Sequence, residues 1–247
     1  MKKIAIVTGA TSGFGKAIAK KFAAGGYAVI ITGRRKERLA ALEQELAPDS
    51  RALCFDLRKL AEVEQAVASL PEAWKKIDVL VNNAGLAAGL APVHEGSVDD
   101  WEQMIDTNVK GLLYMTRVIA PLMVARGHGH IINIGSIAGK EVYPNGNVYC
   151  GSKFAVDAIT KGTRIDLVKH HIKVTQIAPG AAETEFSLVR FKGDQAKAGQ
   201  VYKGYQHLVA EDVAEVVHYV TTLPAHVNIN DLVIMPTAQA STVVFNR

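Results

Sequence analysis

The chain has 247 residues, 49% of them apolar, and a formal net charge of +4. That length holds one α/β domain or two small ones with a full core, and the composition is globular rather than disordered. The charge is modest and dispersed along helical stretches, which leaves no basic stripe for nucleic acid and fits a mixed surface with a local anion site. No run approaches the ~18 uninterrupted apolar residues of a membrane span. The opening Met1-Lys2-Lys3-Ile4 enters a strand pattern without a leader-like hydrophobic region. Cys54 and Cys150 make neither a disulfide framework nor a metal-ligand spacing, so a reducing cytoplasm is the expected compartment and no metal is expected.

Short β-branched runs alternate with amphipathic ones along the whole chain. The pattern predicts strands at 3–8, 28–32, 51–56, 79–82, 130–134, 173–177 and 231–235. Between them it predicts helices at 15–25, 36–46, 61–70, 98–125, 149–169 and 210–222. Such alternation argues a single-domain, doubly wound parallel sheet of Rossmann type with helices on both faces. No linker divides the chain, and the predicted domain is 1–247. The stretch 182–208 breaks the pattern, mixing Gly, Lys and Gln with Phe186, Val189, Phe191, Tyr202 and Tyr205. A segment of that length is either disordered or a lid, and its apolar anchors favour a mobile substrate lid.

The run Gly9-Ala10-Thr11-Ser12-Gly13-Phe14-Gly15 follows the first strand and opens the first helix. Glycines there allow a tight turn and bring backbone N–H groups to a pyrophosphate at the positive helix end. The second strand ends in Gly33-Arg34-Arg35, where an NAD site usually carries an acidic residue for the ribose hydroxyl. Two arginines are the plain start of a basic helix or ligands for a 2′-phosphate, and their place favours the phosphate and therefore NADP. Asp56, ending the third strand beside Leu57, is placed to accept from an adenine amino group. Asn82-Asn83-Ala84-Gly85 ends the fourth, where small residues admit a ribose.

Tyr149 and Lys153 lie one helical turn apart on one face. An ammonium beside a phenol stabilises the phenolate, so the tyrosine can exchange a proton with an alcohol or carbonyl oxygen. The plainer reading is a surface Tyr–Lys contact. Ser136 after the fifth strand can donate to a carbonyl oxygen or serve as a turn residue. Asn108, inside a long helix, either faces solvent, bends the helix or holds water by its amide. Cys150 has no histidine beside it and reads as a packed thiol.

Taken together, the glycine-rich turn, Asn82-Asn83-Ala84-Gly85, Asn108, Ser136, Tyr149-x-x-x-Lys153 and Pro179-Gly180-x-x-x-Thr184 resemble the short-chain dehydrogenase/reductase family over the whole chain. The resemblance implies an oxidoreductase with Tyr149 as general acid/base and Lys153 lowering its pKa and contacting the nicotinamide ribose. It implies that Ser136 orients the substrate oxygen and Asn108 holds a water linking Lys153 to solvent. Thr184 and the preceding backbone from Pro179 through Ala182 would fix the carboxamide. The segments 82–87, 101–107, 129–135, 184–193 and 223–230 further resemble the NADP-dependent 3-hydroxy acid dehydrogenases. That group acts on serine, allo-threonine and malonic semialdehyde, and it implies a homo-oligomer, expected to be a tetramer. Ala181-Ala182 departs from it, since larger aliphatic residues are usual there. A 3-hydroxy acid needs a cation for its carboxylate, and the lid offers Arg190, Lys192 and Lys197, of which Arg190 best suits a two-pronged grip. These residues can equally just solvate the loop. The competing readings are an NADPH-dependent carbonyl reductase of other small ketones and a non-catalytic NADP sensor.

Overall fold

The computed structural model describes residues 2–46 and 48–247. Seven strands run through it: β1 (Ile4–Val7), β2 (Ala28–Gly33), β3 (Ser50–Cys54), β4 (Ile77–Asn82), β5 (Gly129–Ile134), β6 (Ile172–Pro179) and β7 (Asp231–Ile234). They pair in the order β3-β2-β1-β4-β5-β6-β7, all parallel. Parallel neighbours need crossovers, and the principal ones are α1 (Gly13–Ala24), α2 (Lys36–Leu46), α3 (Leu60–Ala68), α4 (Val98–Ile105), α5 (Gly111–Arg126) and α6 (Asn147–Leu167). Three further helices follow β6: α7 (Glu185–Arg190), α8 (Gln195–Gln200) and α9 (Ala210–Thr222).

The two-residue period of the strands divides the core into two layers. Ala5 and Val7 of β1 pack with Ile18 and Phe22 of α1, Leu39 of α2 and Val213 and Val217 of α9. Ile4 and Ile6 face the other way, onto Val63 and Val67 of α3 and Met115, Ile119 and Met123 of α5. Both faces of the sheet are therefore covered, and the architecture is the single-domain Rossmann-type one that the alternation implies. Each fully buried aliphatic side chain contributes roughly 1.5–3 kcal/mol, so the strands are held from both sides rather than by their ladders alone.

The helices at 36–46 and 210–222 have the expected bounds, and the other elements shift by a few residues at their ends. The helix expected at 98–125 comes as α4 and α5 joined by a π turn, Asp106–Lys110. Asn108 lies in that turn, and such local widening is the usual way a helix re-aims one side chain. The segment 182–208 is ordered rather than featureless. It holds α7 and α8, and its base is closed where Leu208 N–H donates to Ala181 C=O at 3.1 Å and Glu183 N–H to Leu208 C=O at 3.0 Å. No helix of the described residues is long and apolar enough to cross a membrane.

Candidate active site

Strand order reverses between β1 and β4, the place where sheets of this kind open a crevice at their carboxyl ends. A cavity of about 630 Å³ lies there, within the range of about 300–1,000 Å³ for ligand sites. Gly9, Thr11, Ser12, Gly13 and Phe14 line it from the first turn, and Arg34 and Arg35 from the end of β2. Leu57, Asn83, Ala84 and Gly85 continue the wall. Pro179, Gly180, Ala182 and Thr184 follow β6, and Ser136, Tyr149, Lys153 and Arg190 complete the wall from the other side.

The first turn has the shape a pyrophosphate requires. Gly9 and Gly13 have φ of +66° and +50°, where a side chain is strained. A Cβ on Gly9 would come within 2.9 Å of Ala84 Cα, and one on Gly15 within 2.4 Å of Gly9 O. Gly15 is buried behind the turn rather than lining the cavity, so it permits the turn without touching a ligand. Thr8 Oγ1 accepts from Asn83 N–H at 3.0 Å and Ala84 N–H at 2.9 Å, tying β1 to β4. A dinucleotide phosphate therefore fits the residues present.

Tyr149, Lys153 and Ser136 converge, but their electrostatics differ from the sequence reading. Burial pushes the Tyr149 phenol above its ordinary range, while the Arg190 charge and the Ser136 hydroxyl pull the other way. Lys153 Nζ lies 6.0 Å from the Tyr149 ring centroid and donates to Ile134 C=O at 2.9 Å. Its own desolvation brings it down to about 8. The cation that most opposes the burial of Tyr149 here is Arg190. Ser136 caps a short 3-10 turn by accepting from Ala138 N–H at 3.1 Å, and it also lines the cavity.

Arg190 is the lid cation at the site. Its Cζ lies 5.1 Å from the Tyr149 ring centroid, 5.0 Å from Phe186 and 5.6 Å from Tyr143. Its Nη2 donates to Tyr143 Oη at 2.7 Å, and its buried Nε has no partner. Lys192 instead pairs with Asp100 at 3.0 Å and Lys197 with Asp194 at 3.3 Å, and neither lines the cavity.

Three further expected residues lie elsewhere. Asp56 does not line the cavity. Arg58, two residues on, holds its carboxylate with Nη2 at 2.6 Å and keeps it below the usual carboxylate range. Asn82 is buried in a polar strut, donating to Thr116 Oγ1 at 3.0 Å and Asn133 Oδ1 at 2.9 Å. Asn108 donates both amide hydrogens, to Leu86 C=O at 2.8 Å and Ser152 Oγ at 3.0 Å, and accepts from Leu86 N–H at 2.8 Å. Its amide thus braces the Gly85-Leu86 backbone and has no hydrogen left to give a water.

Sequence reasoning missed Tyr143, Glu185 and the C-terminal residues Gln239, Thr242, Phe245 and Arg247, all of which line the cavity. Gln239 Oε1 accepts from Ala181 N–H at 2.7 Å. No local pattern marks these residues. Glu185 in a first helical turn reads as ordinary dipole compensation, and the tail reaches the site only through the fold.

Residues 3–194 match the family described as short chain dehydrogenase. The chain belongs to that family and is an oxidoreductase of the dehydrogenase class. Its relatives include the NADP-dependent 3-hydroxy acid dehydrogenase YdfG of Salmonella typhimurium, 54% identical over 238 residues and 96% of each chain. Sulfoacetaldehyde reductase 2 of Chromohalobacter salexigens is 47% identical over 243 residues, 97% of this chain and 96% of the relative. Among solved structures, the closed form of serine dehydrogenase complexed with NADP+ superposes with a TM-score of 0.95 at 51% identity, covering 99% of both chains.

The buried Lys153 ammonium is a cost to the free protein. Because its pKa is depressed from 10.5 to about 8, the folded chain binds fewer protons than the unfolded one between those values. Stability should therefore rise with pH across that window. Lys153→Met should stabilise the ligand-free protein by ~1–3 kcal/mol at pH 7. The gain should shrink as pH climbs from about 8 past 10, read by urea unfolding at several pH values.

Proposed function

We propose that the chain is an NADP-dependent dehydrogenase of small 3-hydroxy acids, moving a hydride between the nicotinamide and the 3-hydroxyl or 3-oxo carbon. The substrate class comprises serine, allo-threonine, 3-hydroxyisobutyrate and 3-hydroxypropionate, with malonic semialdehyde in the reducing direction. The observation that carries this reading is the Arg190 guanidinium 5.1 Å above the Tyr149 ring. A carboxylate held there leaves a carbon two bonds away within reach of the phenol oxygen. Relatives named for 3-hydroxy acids and for sulfoacetaldehyde support it, since both substrates carry an anionic group one methylene from the reacting carbon.

When bound, NADP supplies or accepts the hydride. The chain's own residues do the rest. Arg34 and Arg35 pair with the 2′-phosphate, and the first turn presents N–H groups to the pyrophosphate. Lys153 holds the nicotinamide ribose, and Thr184 with the 179–182 backbone orients the carboxamide. Tyr149 takes the hydroxyl proton in oxidation and returns it in reduction. Ser136 donates to the substrate oxygen as charge develops there. Asn108 acts at one remove, through Leu86 and Ser152. The lid 182–208 excludes water during transfer.

Helices α4, α5 and α6 leave Ile105, Leu113, Phe154 and Ile165 exposed. Phe154 and Ile165 are spaced to share one face of α6. These helices would form a two-fold interface in a homo-tetramer working in the cytoplasm. Light scattering should then read a mass several times the 26.5 kDa of one chain, and a monomer at micromolar concentration would remove this part of the reading.

Tyr149→Phe should lower kcat by at least the ~10²–10⁴-fold typical of a lost general acid–base. NADPH binding should be nearly unchanged in a fluorescence titration. A variant keeping more than about a tenth of wild-type turnover would assign the proton transfer elsewhere.

Arg190→Ala should raise KM for carboxylate substrates about ten-fold or more, as a charged hydrogen bond is worth ~1.5–3 kcal/mol. Reduction of a neutral ketone at pH 7 should hardly change, because there Tyr149 works in its protonated form. Equal loss with both substrates would make Arg190 a lid support instead.

A further inference from the structure

Glu185 opens α7 directly after its N-cap Thr184, yet its carboxylate is bonded across the crevice rather than within the lid. Arg35 Nη1 donates to its Oε2 at 3.0 Å, and Arg38 Nη1 donates to its Oε1 at 2.8 Å and its Oε2 at 3.1 Å. Two guanidinium groups thus converge on one carboxylate that lines the cavity. Burial alone would push that carboxyl up. The hydrogen bonds and charges of Arg35 and Arg38 outweigh it and hold the group below the usual range.

The rest of Arg35 is also engaged. Its Nε donates to Thr11 Oγ1 at 3.0 Å, and its Nη2 to the same oxygen at 2.7 Å and to Ser12 Oγ at 2.8 Å. Four of the five N–H hydrogens of this guanidinium are therefore in use, and a phosphate can make more than one bond to it only by taking over a partner's place. Of those partners, Glu185 alone is an anion. Arg34 is looser, 3.9 Å from Asp56.

We propose that Glu185 is a built-in stand-in for the cofactor's 2′-phosphate, competing with it for Arg35 and so setting how strongly NADP is preferred over NAD. The inference rests on the reading of Arg34 and Arg35 as 2′-phosphate ligands. A phosphate carries more charge than a carboxylate and has three acceptor oxygens, so it can displace Glu185. Its net gain is reduced by the ion pair given up. NAD, with a hydroxyl at that position, has no anion with which to displace Glu185 and gains nothing from its removal. Because Glu185 sits on the lid and also accepts from Arg38, the exchange leaves α7 tied to α2 through Arg38 alone. By linkage, anything that strengthens the Glu185 pairs weakens NADP binding by the same factor.

The test is calorimetric titration of the full-length protein with NADP+ and NAD+, comparing wild type, Glu185→Gln, Arg35→Ala and the double variant. Glu185→Gln keeps the shape and removes the charge. It should bind NADP+ about two- to five-fold more tightly, the scale of one half-exposed ion pair given up. Its NAD+ affinity should not rise, since only NADP+ has to displace the carboxylate. The gain should shrink when Arg35 is already Ala, and it should shrink in high salt. Unchanged or weaker NADP+ binding, or equal shifts for both cofactors, overturns the proposal. Arg35→Ala separates the two failures. If it weakens NADP+ and spares NAD+ while Glu185→Gln does nothing, the phosphate reading stands and only the stand-in falls. If it weakens both alike, the phosphate reading falls with it.

Discussion

The hydroxyl of Thr8 is buried between the ends of β1 and β4, donating to Val81 C=O at 3.3 Å and accepting the N–H groups of Asn83 and Ala84. Asn83 answers by donating its amide to Thr8 C=O at 2.8 Å. These two strands are where the chain changes direction across the sheet, so their crossovers leave in opposite senses and a crevice opens between them. Ends that diverge in this way would splay and leave buried backbone groups without partners. The Thr8 knot closes them to the distance at which Gly9 and Gly15 meet Ala84 and Asn83 with no room for a Cβ. The glycine turn and the small-residue wall after β4 both depend on that spacing.

The reacting side of the cavity is built against the ordinary preference of its groups. Burial drives the Tyr149 phenol and the Lys153 ammonium each toward its neutral form, because a charge loses its hydration there. The fold offsets this with a carbonyl of β5 on Lys153 and a lid guanidinium stacked over Tyr149. Asn108 contributes from behind. The π turn widens the helix so that its amide can satisfy both backbone groups of Leu86. Local departures of this kind concentrate where a site must be held in a set geometry.

The lid belongs to both halves of the site. Its first turn carries Glu185 to the arginines after β2, and the same helix ends in Arg190 over the tyrosine. A helix of six residues thus spans the cavity from the Arg35 side to the Tyr149 side. Anything that moves α7 is felt at both ends.

Much of this was legible in the sequence because it is local. A strand, a glycine turn and a helix lie next to each other in the chain, and Tyr149 and Lys153 need only helical periodicity to share a face. The alternation of apolar runs determined the parallel, double-faced sheet, since only strands buried on both sides read as continuous β-branched segments. The identity of a side chain's partner is different, for it depends on what the fold brings near. Asp56 and Asn82 stand at strand ends where ligands bind, yet Arg58 claims one and the Thr116–Asn133 strut the other. Tyr143, Glu185 and Gln239 reach the cavity from segments far apart in sequence. Sequence by itself determined the sheet, the crevice and the shared helix face of Tyr149 and Lys153, all of which follow from short-range periodicity and backbone sterics. Only the tertiary structure decided which charges meet there, because Coulomb and hydrogen-bond energies are set by distances through space that no spacing along the chain encodes.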